Sequence, residues 1–442
     1  MNPRTFSPSW HRAPLAALVA VAGVSALGMA ATLVAVPWFV LHRTGSGTWT
    51  GLVAAAETAG LLCSAVLAGP VVDRLPARAV SAGADLLTAA ALALIPLLHA
   101  LDALALPVLV VLAFVVGAAR GPAETARQVL LPAAVERASV TVEAGTGAVE
   151  AARRIGLMTG APLAGLLIAV MGPVRTLCTD VGAALLCCAL VVVLLPSGPR
   201  PAGQDGRGGQ DGPGGAVASY LADLRAGWAY LGGDRPVRAV ATVLLVTNAL
   251  DGALNGVLYP AYGTHVLRSS GLFGAMVTAI GAGALLGAAV YGRIGRRLPR
   301  RALFVGGFLL VGAVRCTALA VGPPPWVLLP LLALTGLGSG VLAPLMMSVA
   351  YERVPEAVRG RVFGMLTACA LAATPLGMLA AGPVLDGWGV TRALVATGVV
   401  YLGVTVAPLV FPVWRELDAP PSPRAPKGDR YARDMEVCHP SP

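Results

Sequence analysis

Charged side chains are scarce in this chain of 442 residues: Asp, Glu, Lys and Arg make up 12% of the sequence, and hydrophobic residues make up 56%. Soluble globular proteins contain about 25% charged residues. A chain with about half that share lacks the polar surface that a water-soluble fold of this length requires. The scarcity of charge therefore excludes an ordinary soluble protein and indicates a chain whose solvent is a lipid bilayer.

The sequence also lacks the patterns that mark common catalytic and energy-coupling sites. It has no Gly-rich loop ending in Lys-Ser/Thr, which argues against an ATP-driven pump. No Gly-x-Ser-x-Gly nucleophile elbow is found on a strand-to-helix turn. The five histidines and seven cysteines are dispersed, without metal-ligand spacing. We therefore expect neither an enzyme nor a protein that carries a metal or an organic cofactor.

Long apolar runs are what the sequence has instead. A run of about 20 apolar residues spans a bilayer as a helix, and a helix satisfies its own backbone groups in hydrocarbon. Alternating stretches of about 10 residues, which would indicate a membrane β-barrel, are not the pattern seen. The predicted helices cover residues 14–41, 49–69, 79–100, 105–123, 144–171, 174–195, 238–265, 271–292, 302–321, 326–350, 361–385 and 391–412. The fold class is thus an all-α integral membrane protein.

The basic residues are distributed unevenly between the two sides of this arrangement. If the N-terminus is placed in the cytoplasm, 27 of the 32 basic residues fall on the inner side. The exceptions are Arg43, Arg175, Arg268 and Arg392 on the outer side and Arg315 within a span. The positive-inside rule then predicts a multi-pass protein of the cell membrane with both termini in the cytoplasm. The net charge of +10 reflects loops that face anionic lipid, so we expect no nucleic-acid partner.

One polar interruption divides the chain. Residues 197–215 contain almost nothing apolar and are expected to be disordered, and residues 216–236 have the spacing of a short amphipathic helix on the inner membrane surface. The predicted divisions are a cytoplasmic N-terminus (1–13), a six-helix bundle (14–195), a linker (196–237), a second six-helix bundle (238–412) and a disordered cytoplasmic tail (413–442).

The two halves resemble each other. Segment 69–78 after the second span matches segment 292–301 after the eighth at an offset of 223 residues. Pro132, before the fifth span, and Pro355, before the eleventh, have the same offset. Two landmarks with one offset indicate an internal repeat. Parallel six-helix repeats are typical of transporters that bind substrate near the bilayer midplane between the halves.

Segment 69–78, with its Gly, its Asp-Arg pair and its basic end, resembles the loop signature of the major facilitator superfamily. Segments 127–132, 354–364 and 373–377 resemble the branch of enterobactin-type exporters and drug:proton antiporters. The resemblance implies the major facilitator fold, with twelve transmembrane helices in two pseudo-symmetric six-helix bundles. It also implies a transporter that exports a small molecule, with the proton as coupling ion. We expect the protein to be a monomer.

The loop signature consists of Gly69, Asp73, Arg74 and Arg78. The resemblance implies that Asp73 is a latch that holds the inner gate shut in the outward-facing state, with the arginines as its partners. The simpler interpretation is that the arginines only set the topology. Arg296 stands at the position that matches Asp73 in the second half, so this latch is not repeated there.

Four acidic residues fall within predicted spans: Glu57, Asp85, Asp180 and Asp251. A charge at the bilayer centre costs at least about 3 kcal/mol, so each is expected to face the interior, to pair with a cation or to carry a proton. Glu57 and Asp251 lie nearest the middle of their spans and are candidates to bind a proton or a substrate cation. The alternative is a polar contact that holds helices together. We expect Asp85 to form a structural or gating pair with a nearby arginine, whereas Asp180 lies near the outer end of its span, where solvation weakens the argument.

Asn248, Asp251 and Asn255 share one face of the seventh span, which we expect to line the central cavity. Arg315 is the only basic residue placed deep in a predicted span. Its guanidinium remains charged, so three roles are open: neutralising an anionic substrate, pairing with a buried acid, or reaching the outer interface.

The fifth span carries the small-residue series Gly156, Gly160, Pro162 and Gly165. This series partly resembles the signature of export-type antiporters. Ordinary close packing between helices is the alternative interpretation. Glu150 and Arg154 stand four residues apart before it and are expected to pair.

The sequence thus predicts a secondary transporter that exports a small amphipathic molecule (a drug, a siderophore or a secondary metabolite) by rocking of the two halves. Asp251 or Glu57 would exchange a proton against substrate. An uptake carrier or uniporter of the same fold is one alternative. A sensor, a scaffold or an enzyme embedded in the membrane is the alternative from another class.

Overall fold

The computed structural model describes residues 9–195, 235–295, 298–353 and 356–410. Within these residues the chain folds into twelve long helices. The helices of the first half are α1 (Ser9–Thr44), α2 (Gly47–Arg74), α3 (Ala77–Ala100), α4 (Leu106–Ala138), α5 (Val142–Met171) and α6 (Pro173–Leu194). Polar residues cap several of them, because the first N–H groups of a helix have no partner within it. Ser46 caps α2 and Thr141 caps α5 in this way.

The helices of the second half are less regular. Helix α7 begins with Arg235–Ala253 and continues through two π-helical turns, Leu254–Leu258 and Tyr262–Leu267. Helix α8 covers Ser270–Ile294, and α10 covers Pro325–Arg353. Helix α9 runs over residues 300–321 and contains a third π-helical turn, Leu310–Val314. π-Helical turns are rare in proteins, and those that occur often lie at functional sites.

The last helical segment, Glu356–Val410, is two helices. Gly389 lies between them with φ 76° and ψ 170°, a backbone conformation that favours glycine. We refer to residues 356–388 as α11 and to residues 390–410 as α12.

Ten stretches of the described residues are long and apolar enough to cross a membrane. One of them, Ala370–Val406, has 37 residues and contains the Gly389 break, so it supplies two crossings of about 20 residues each. With the 28 residues of α2, the described part of the chain has twelve helices of spanning length. The prediction of an all-α membrane protein with twelve helices is confirmed.

Helix α4 is much longer than the predicted span 105–123, since it continues to Ala138. The prediction ended this span at residue 123, just after Arg120, and placed Arg127 in a loop on the inner side. Arg127 instead lies within the helix, and both arginines contact carboxylates on neighbouring helices. Pairing across helices offsets the cost that the sequence pattern assigned to these charges.

The internal repeat of the sequence is also seen in the backbone conformation at the helix starts. Ser269 caps α8 as Ser46 caps α2, and subtracting 46 from 269 gives 223. The residue before each cap, Gly45 or Arg268, is in the left-handed conformation. Pro76 and Pro299 occupy the N-cap positions of α3 and α9, and 299 minus 76 is again 223. The offset derived from sequence is therefore a real structural repeat.

Helix packing follows the same two-fold relation. Helix α1 packs on α5 and α2 on α4 in the first half, as α7 packs on α11 and α8 on α10 in the second. The two halves meet where α2 packs on α11 and α5 packs on α8. A large apolar core joins them, and in it the Trp38 ring of α1 stacks on Phe273 of α8 with 5.9 Å between centroids.

Several predictions fall outside the described residues. They concern the linker residues 196–234 with most of the amphipathic helix, the tail from residue 411, the first eight residues, Arg296, the surroundings of Gly69 and the side chain of Asp73.

Candidate transport site

One end of the bundle is closed by a carboxylate that bridges the two halves. We call it the Asp386 end; it comprises the α1–α2 connection at residues 45–46 and the α11–α12 connection at Gly389. Asp386 of α11 accepts hydrogen bonds from the backbone N–H of Gly47 (2.5 Å) and of Thr48 (2.9 Å). It also accepts bonds from the hydroxyl groups of Thr48 (2.6 Å) and Ser46 (3.0 Å). Asp386 thus binds the N-terminus of α2, where the helix dipole favours a negative charge.

Small residues allow the halves to approach closely at the same end. A Cβ added to Gly47 would lie 2.6 Å from Leu385 Cδ2, and one added to Gly382 would lie 2.6 Å from the Cα of Thr48. Across the other junction, a Cβ on Gly165 would lie 2.5 Å from the carbonyl oxygen of Ser270. Larger side chains at these positions would force the helices apart.

A cavity of about 360 Å³ lies within the first half. Its described lining comes from α1 to α6 and includes six charged residues: Asp85, Arg120, Glu124, Arg127, Arg153 and Asp180. Apolar side chains, among them Met29, Leu61 and Leu157, form other parts of the wall. A space that combines apolar walls with convergent charges is typical of a small-molecule site.

Two buried ion pairs join helices around this cavity. Glu57 of α2 accepts a hydrogen bond from Arg120 of α4 at 2.5 Å. Asp85 of α3 accepts one from Arg127 of α4, also at 2.5 Å, and Arg127 further donates to the Ser25 hydroxyl of α1 at 3.1 Å. Helix α4 therefore carries the positive charges that meet acids on the two helices beside it. Arg315 is accordingly not the only basic residue deep in a span, which corrects the prediction.

Asp180 is buried, with 7% of its surface exposed. The hydroxyl of Thr32 donates a hydrogen bond to its Oδ2 atom, and a Cβ on Gly28 would overlap its Oδ1 atom. The expectation that Asp180 is solvated near the end of its span is wrong. Helix α1 covers this face of α6, and the contact cannot be inferred from the position of Asp180 along its own span.

A second polar cluster lies in the second half. Tyr401 of α12 donates a hydrogen bond to Asp251 Oδ1 at 2.6 Å. Arg315 donates to the Tyr259 hydroxyl at 3.3 Å, to the Thr335 hydroxyl at 3.0 Å and to the Thr335 carbonyl at 3.3 Å. Asp251 acts on Arg315 electrostatically, and within the described residues no carboxylate lies within ion-pair distance of the guanidinium. Arg315 is only 4% exposed, so it does not extend to the interface.

The π-helical turns supply the geometry of this cluster. Tyr259 follows the turn Leu254–Leu258, and Arg315 follows the turn Leu310–Val314. Gly312, within the latter turn, lies against the ring of Tyr401, where a Cβ would overlap it. The irregular helices thus position the tyrosine that binds Asp251.

The two asparagines of the predicted polar face make bonds within their own helix. Asn248 donates to the Leu244 carbonyl and Asn255 to the Asp251 carbonyl, each at 2.8 Å. Asn255 is exposed, whereas Asn248 and Asp251 are half-buried. Of the three residues on this helix face, Asp251 is the one whose side chain hydrogen-bonds to another helix within the described part of the chain.

Two arginines of the signature loop, Arg74 and Arg78, lie in the described part of the chain. Arg74 is exposed in the last turn of α2, and Arg78 bonds to the Val192 carbonyl of α6.

Gly156 and Gly160 bring α5 against α1, and Pro162 and Gly165 contact Gly274 of the other half. Glu150 pairs with Arg154 and with Arg153, each at 2.8 Å.

Sequence reasoning missed Arg120, Arg127, Tyr401 and Asp386 as interior or bridging groups. Arg120 and Arg127 stand seven residues apart, two helical turns, and that spacing on one face was the available signal. No pattern in the sequence indicated that Asp386 bridges the two halves, because its partners lie about 340 residues away.

Two related six-helix halves, closed on each other at one end and holding buried charges, define a secondary transporter-type membrane protein. Comparison with known families agrees. The family model described as Major Facilitator Superfamily matches residues 18–248 and 241–436. The chain belongs to this superfamily and is a multi-pass protein of the cell membrane, in a family of transporters rather than enzymes.

The chain is similar to proteins named multidrug efflux pump Tap. It is 33% identical to the one from Mycolicibacterium fortuitum over 416 residues, which is 93% of this chain and 99% of that protein. It is also 33% identical to the one from Mycobacterium tuberculosis over 415 residues, 93% of this chain and 96% of that protein. These similarities support a function in efflux.

Among solved structures, the nucleoside transporter NupG has the same fold. The TM-score is 0.72 at 13% identity, with 89% of this chain and 97% of that chain covered. A point mutant of NupG gives a TM-score of 0.71 over 91% of this chain and 98% of that chain. At this identity the likeness concerns the fold alone.

Proposed function

We propose that this protein exports a small amphipathic molecule in exchange for protons, by alternating access of its two halves. The direction is supported by the relatives named as multidrug efflux pumps, which cover 93% of the chain. Proton coupling rests on one observation: Asp251 is held inside the second half by the neutral hydroxyl of Tyr401. Within the described residues Asp251 has no ion-pair partner within 4 Å, so its protonation breaks no direct ion pair.

Glu57 is the second candidate for coupling. Its charge is matched by Arg120 at 2.5 Å, so a proton on Glu57 would leave the arginine without its counter-charge. A substrate or a conformational change would have to supply a replacement at that moment. Asp251 is therefore the first choice for the coupling carboxylate.

The distribution of basic residues orients the protein with both termini in the cytoplasm and the Asp386 end outside. In this orientation the contacts between α2 and α11 and between α5 and α8 close the outer end. Export requires the Asp386 contact to break and the outer end to open. The protein acts as a monomer in this scheme, because each chain contains both halves.

The proposal is tested with inverted membrane vesicles that contain the protein. A fluorescent amphipathic dye should accumulate inside when the lumen is acidified, and the accumulation should stop when the gradient is collapsed. Asp251→Asn should abolish the proton dependence, and Glu57→Gln should reduce it. Asp102→Asn, a change at an exposed connection, is the matched control. Full proton-driven accumulation by both neutral variants, at wild-type levels of folded protein, would refute the coupling assignment.

A further inference from the structure

Histidine is concentrated at the Asp386 end of the bundle. The helices alternate in direction, so the α3–α4, α5–α6 and α7–α8 connections lie at this same end. Of the four histidines in the described part of the chain, three lie there: His42, His99 and His265. His11, near the start of α1, is at the opposite end. Histidine is the side chain that ordinarily changes its charge between pH 5 and 8, so the charge of this end depends on acidity in that range.

Positive charge already prevails at this end. The exposed fixed charges of the described residues are Arg43, Asp102 and Arg175 in the first half and Arg268, Asp386 and Arg392 in the second. Each half therefore has two arginines and one aspartate, a net charge of +1. Charging the imidazoles raises the first half to +3, because it holds His42 and His99, and the second half to +2. The product of the two charges, to which their repulsive energy is proportional, rises about sixfold.

One of these imidazoles makes a contact that requires it to be neutral. The Arg43 guanidinium, which is always a donor, bonds to Nδ1 of His99 over 3.2 Å, so this nitrogen carries no proton. His99 is half-buried, and Phe39 packs edge-on against its ring with 5.4 Å between the centroids. A proton on Nδ1 removes the acceptor and places two positive charges side by side. Acid therefore breaks this contact between the ends of α1 and α3.

This contact lies next to the bond that closes the Asp386 end. Arg43 is in the last turn of α1, and Ser46, three residues later, donates to Asp386 of the other half. His265 lines an open cavity together with Ser46 and Asp386. A charged imidazole there attracts Asp386 within its own half, and so competes with the N-terminus of α2 for the carboxylate. Both effects of acid weaken the same closure.

We propose that the Asp386 end is an acid-operated gate, in which protons on His42, His99 and His265 weaken the closure between the halves. At a separation of about 10 Å, which is about the Debye length at 0.1 M salt, the added repulsion alone favours opening by about threefold. Loss of the His99 contact adds to this effect. The gate goes beyond the proposed export function, since it controls opening and does not carry the coupling proton assigned to Asp251. It rests on the proposed orientation only for the statement that the acid is outside the cell.

The test is the distribution of distances between spin labels at residues 103 and 387, one in each half, in the full-length protein in lipid nanodiscs with its seven cysteines replaced by Ser. Lowering the pH from about 7.5 to about 5.5 should increase the population at longer distance by about threefold or more. The triple variant His42→Gln, His99→Gln, His265→Gln should not respond to pH. His11→Gln, the matched control at the opposite end of α1, should respond as the wild type does. A wild type that does not respond, or a triple variant that responds fully, would overturn the proposal.

Two single variants keep the gate testable if the triple variant does not fold. His99→Lys carries its positive charge at both pH values, so the population at longer distance should already be present at about pH 7.5; a distribution equal to that of the wild type would count against the gate. Asp251→Asn should retain the pH response, and its loss there would assign the response to the coupling carboxylate instead. The proposed function fails separately: if vesicles show no proton-driven transport while opening still depends on the histidines, the gate stands and the exporter assignment falls.

Discussion

The bond between Asp386 and the N-terminus of α2 should hold the two halves together at the Asp386 end, and replacing Asp386 by Asn should weaken it. The two carboxylate oxygens accept four hydrogen bonds from Ser46, Gly47 and Thr48. Asn retains one oxygen acceptor and no charge. The loss includes the interaction with the helix dipole, about 0.3–1 kcal/mol, and at least one bond to a charged group, about 1.5 kcal/mol.

The expected total is about 2 kcal/mol, taken at the low end because Asp386 is exposed. At 1.36 kcal/mol per factor of ten, this shifts the ratio of open to closed molecules by about 30-fold. The assay is the distribution of distances between spin labels at residues 103 and 387, in a protein whose seven cysteines are replaced by Ser. Both sites are exposed at the Asp386 end and lie in different halves.

The variant Asp386→Asn should add a population at longer distance. Glu136→Gln, an exposed change at the opposite end of α4, should not. Thr48→Val should cause a smaller shift, and its effect should not add to that of Asp386→Asn, because both changes remove part of one contact. Identical distributions in wild type and Asp386→Asn would refute the idea that this carboxylate closes the outer end.

Three further changes have defined outcomes. Asp85→Asn leaves its arginine partner buried without a counter-charge and should destabilise the protein by about 3–5 kcal/mol, measured as a lower midpoint of thermal unfolding; an unchanged midpoint would contradict the pair's buried character. Gly165→Val should obstruct the α5–α8 contact and lengthen the distances between the same spin labels, whereas Gly147→Val, in open space on the same helix, should not. Tyr401→Phe removes the hydroxyl that binds Asp251 and should alter the pH dependence of transport more than its maximal rate; an unaltered pH profile would separate this bond from coupling.

Much of the fold was predictable because membrane helices are recognisable from local sequence. Hydropathy over about 20 residues located all twelve helices, and the segments around Pro132 and Pro355 revealed the repeat. Hydropathy ended α4 at residue 123, between Arg120 and Arg127. A charged residue lowers the mean hydropathy whether it lies in a loop or forms an ion pair inside the bundle. For that reason α4 was predicted about 15 residues too short.

The site was predictable only in part. Burial of charge drew attention to Glu57, Asp85 and Asp251, since acids are costly in hydrocarbon. The partners of these acids were not predictable. Tyr401 is 150 residues from Asp251, and no periodicity connects the two.

The sequence by itself determined that this protein spans a membrane, that it has two six-helix halves and that it belongs to a transporter superfamily. The first two properties are sums over local segments, since hydrophobic transfer is a local, additive quantity. The third rests on short motifs such as segment 69–78. Only the tertiary structure decided which carboxylate meets an arginine and which meets a hydroxyl. These pairings depend on contacts between helices that are distant in sequence. In the low dielectric of the interior, the interaction energy of two charges changes strongly over a few ångströms.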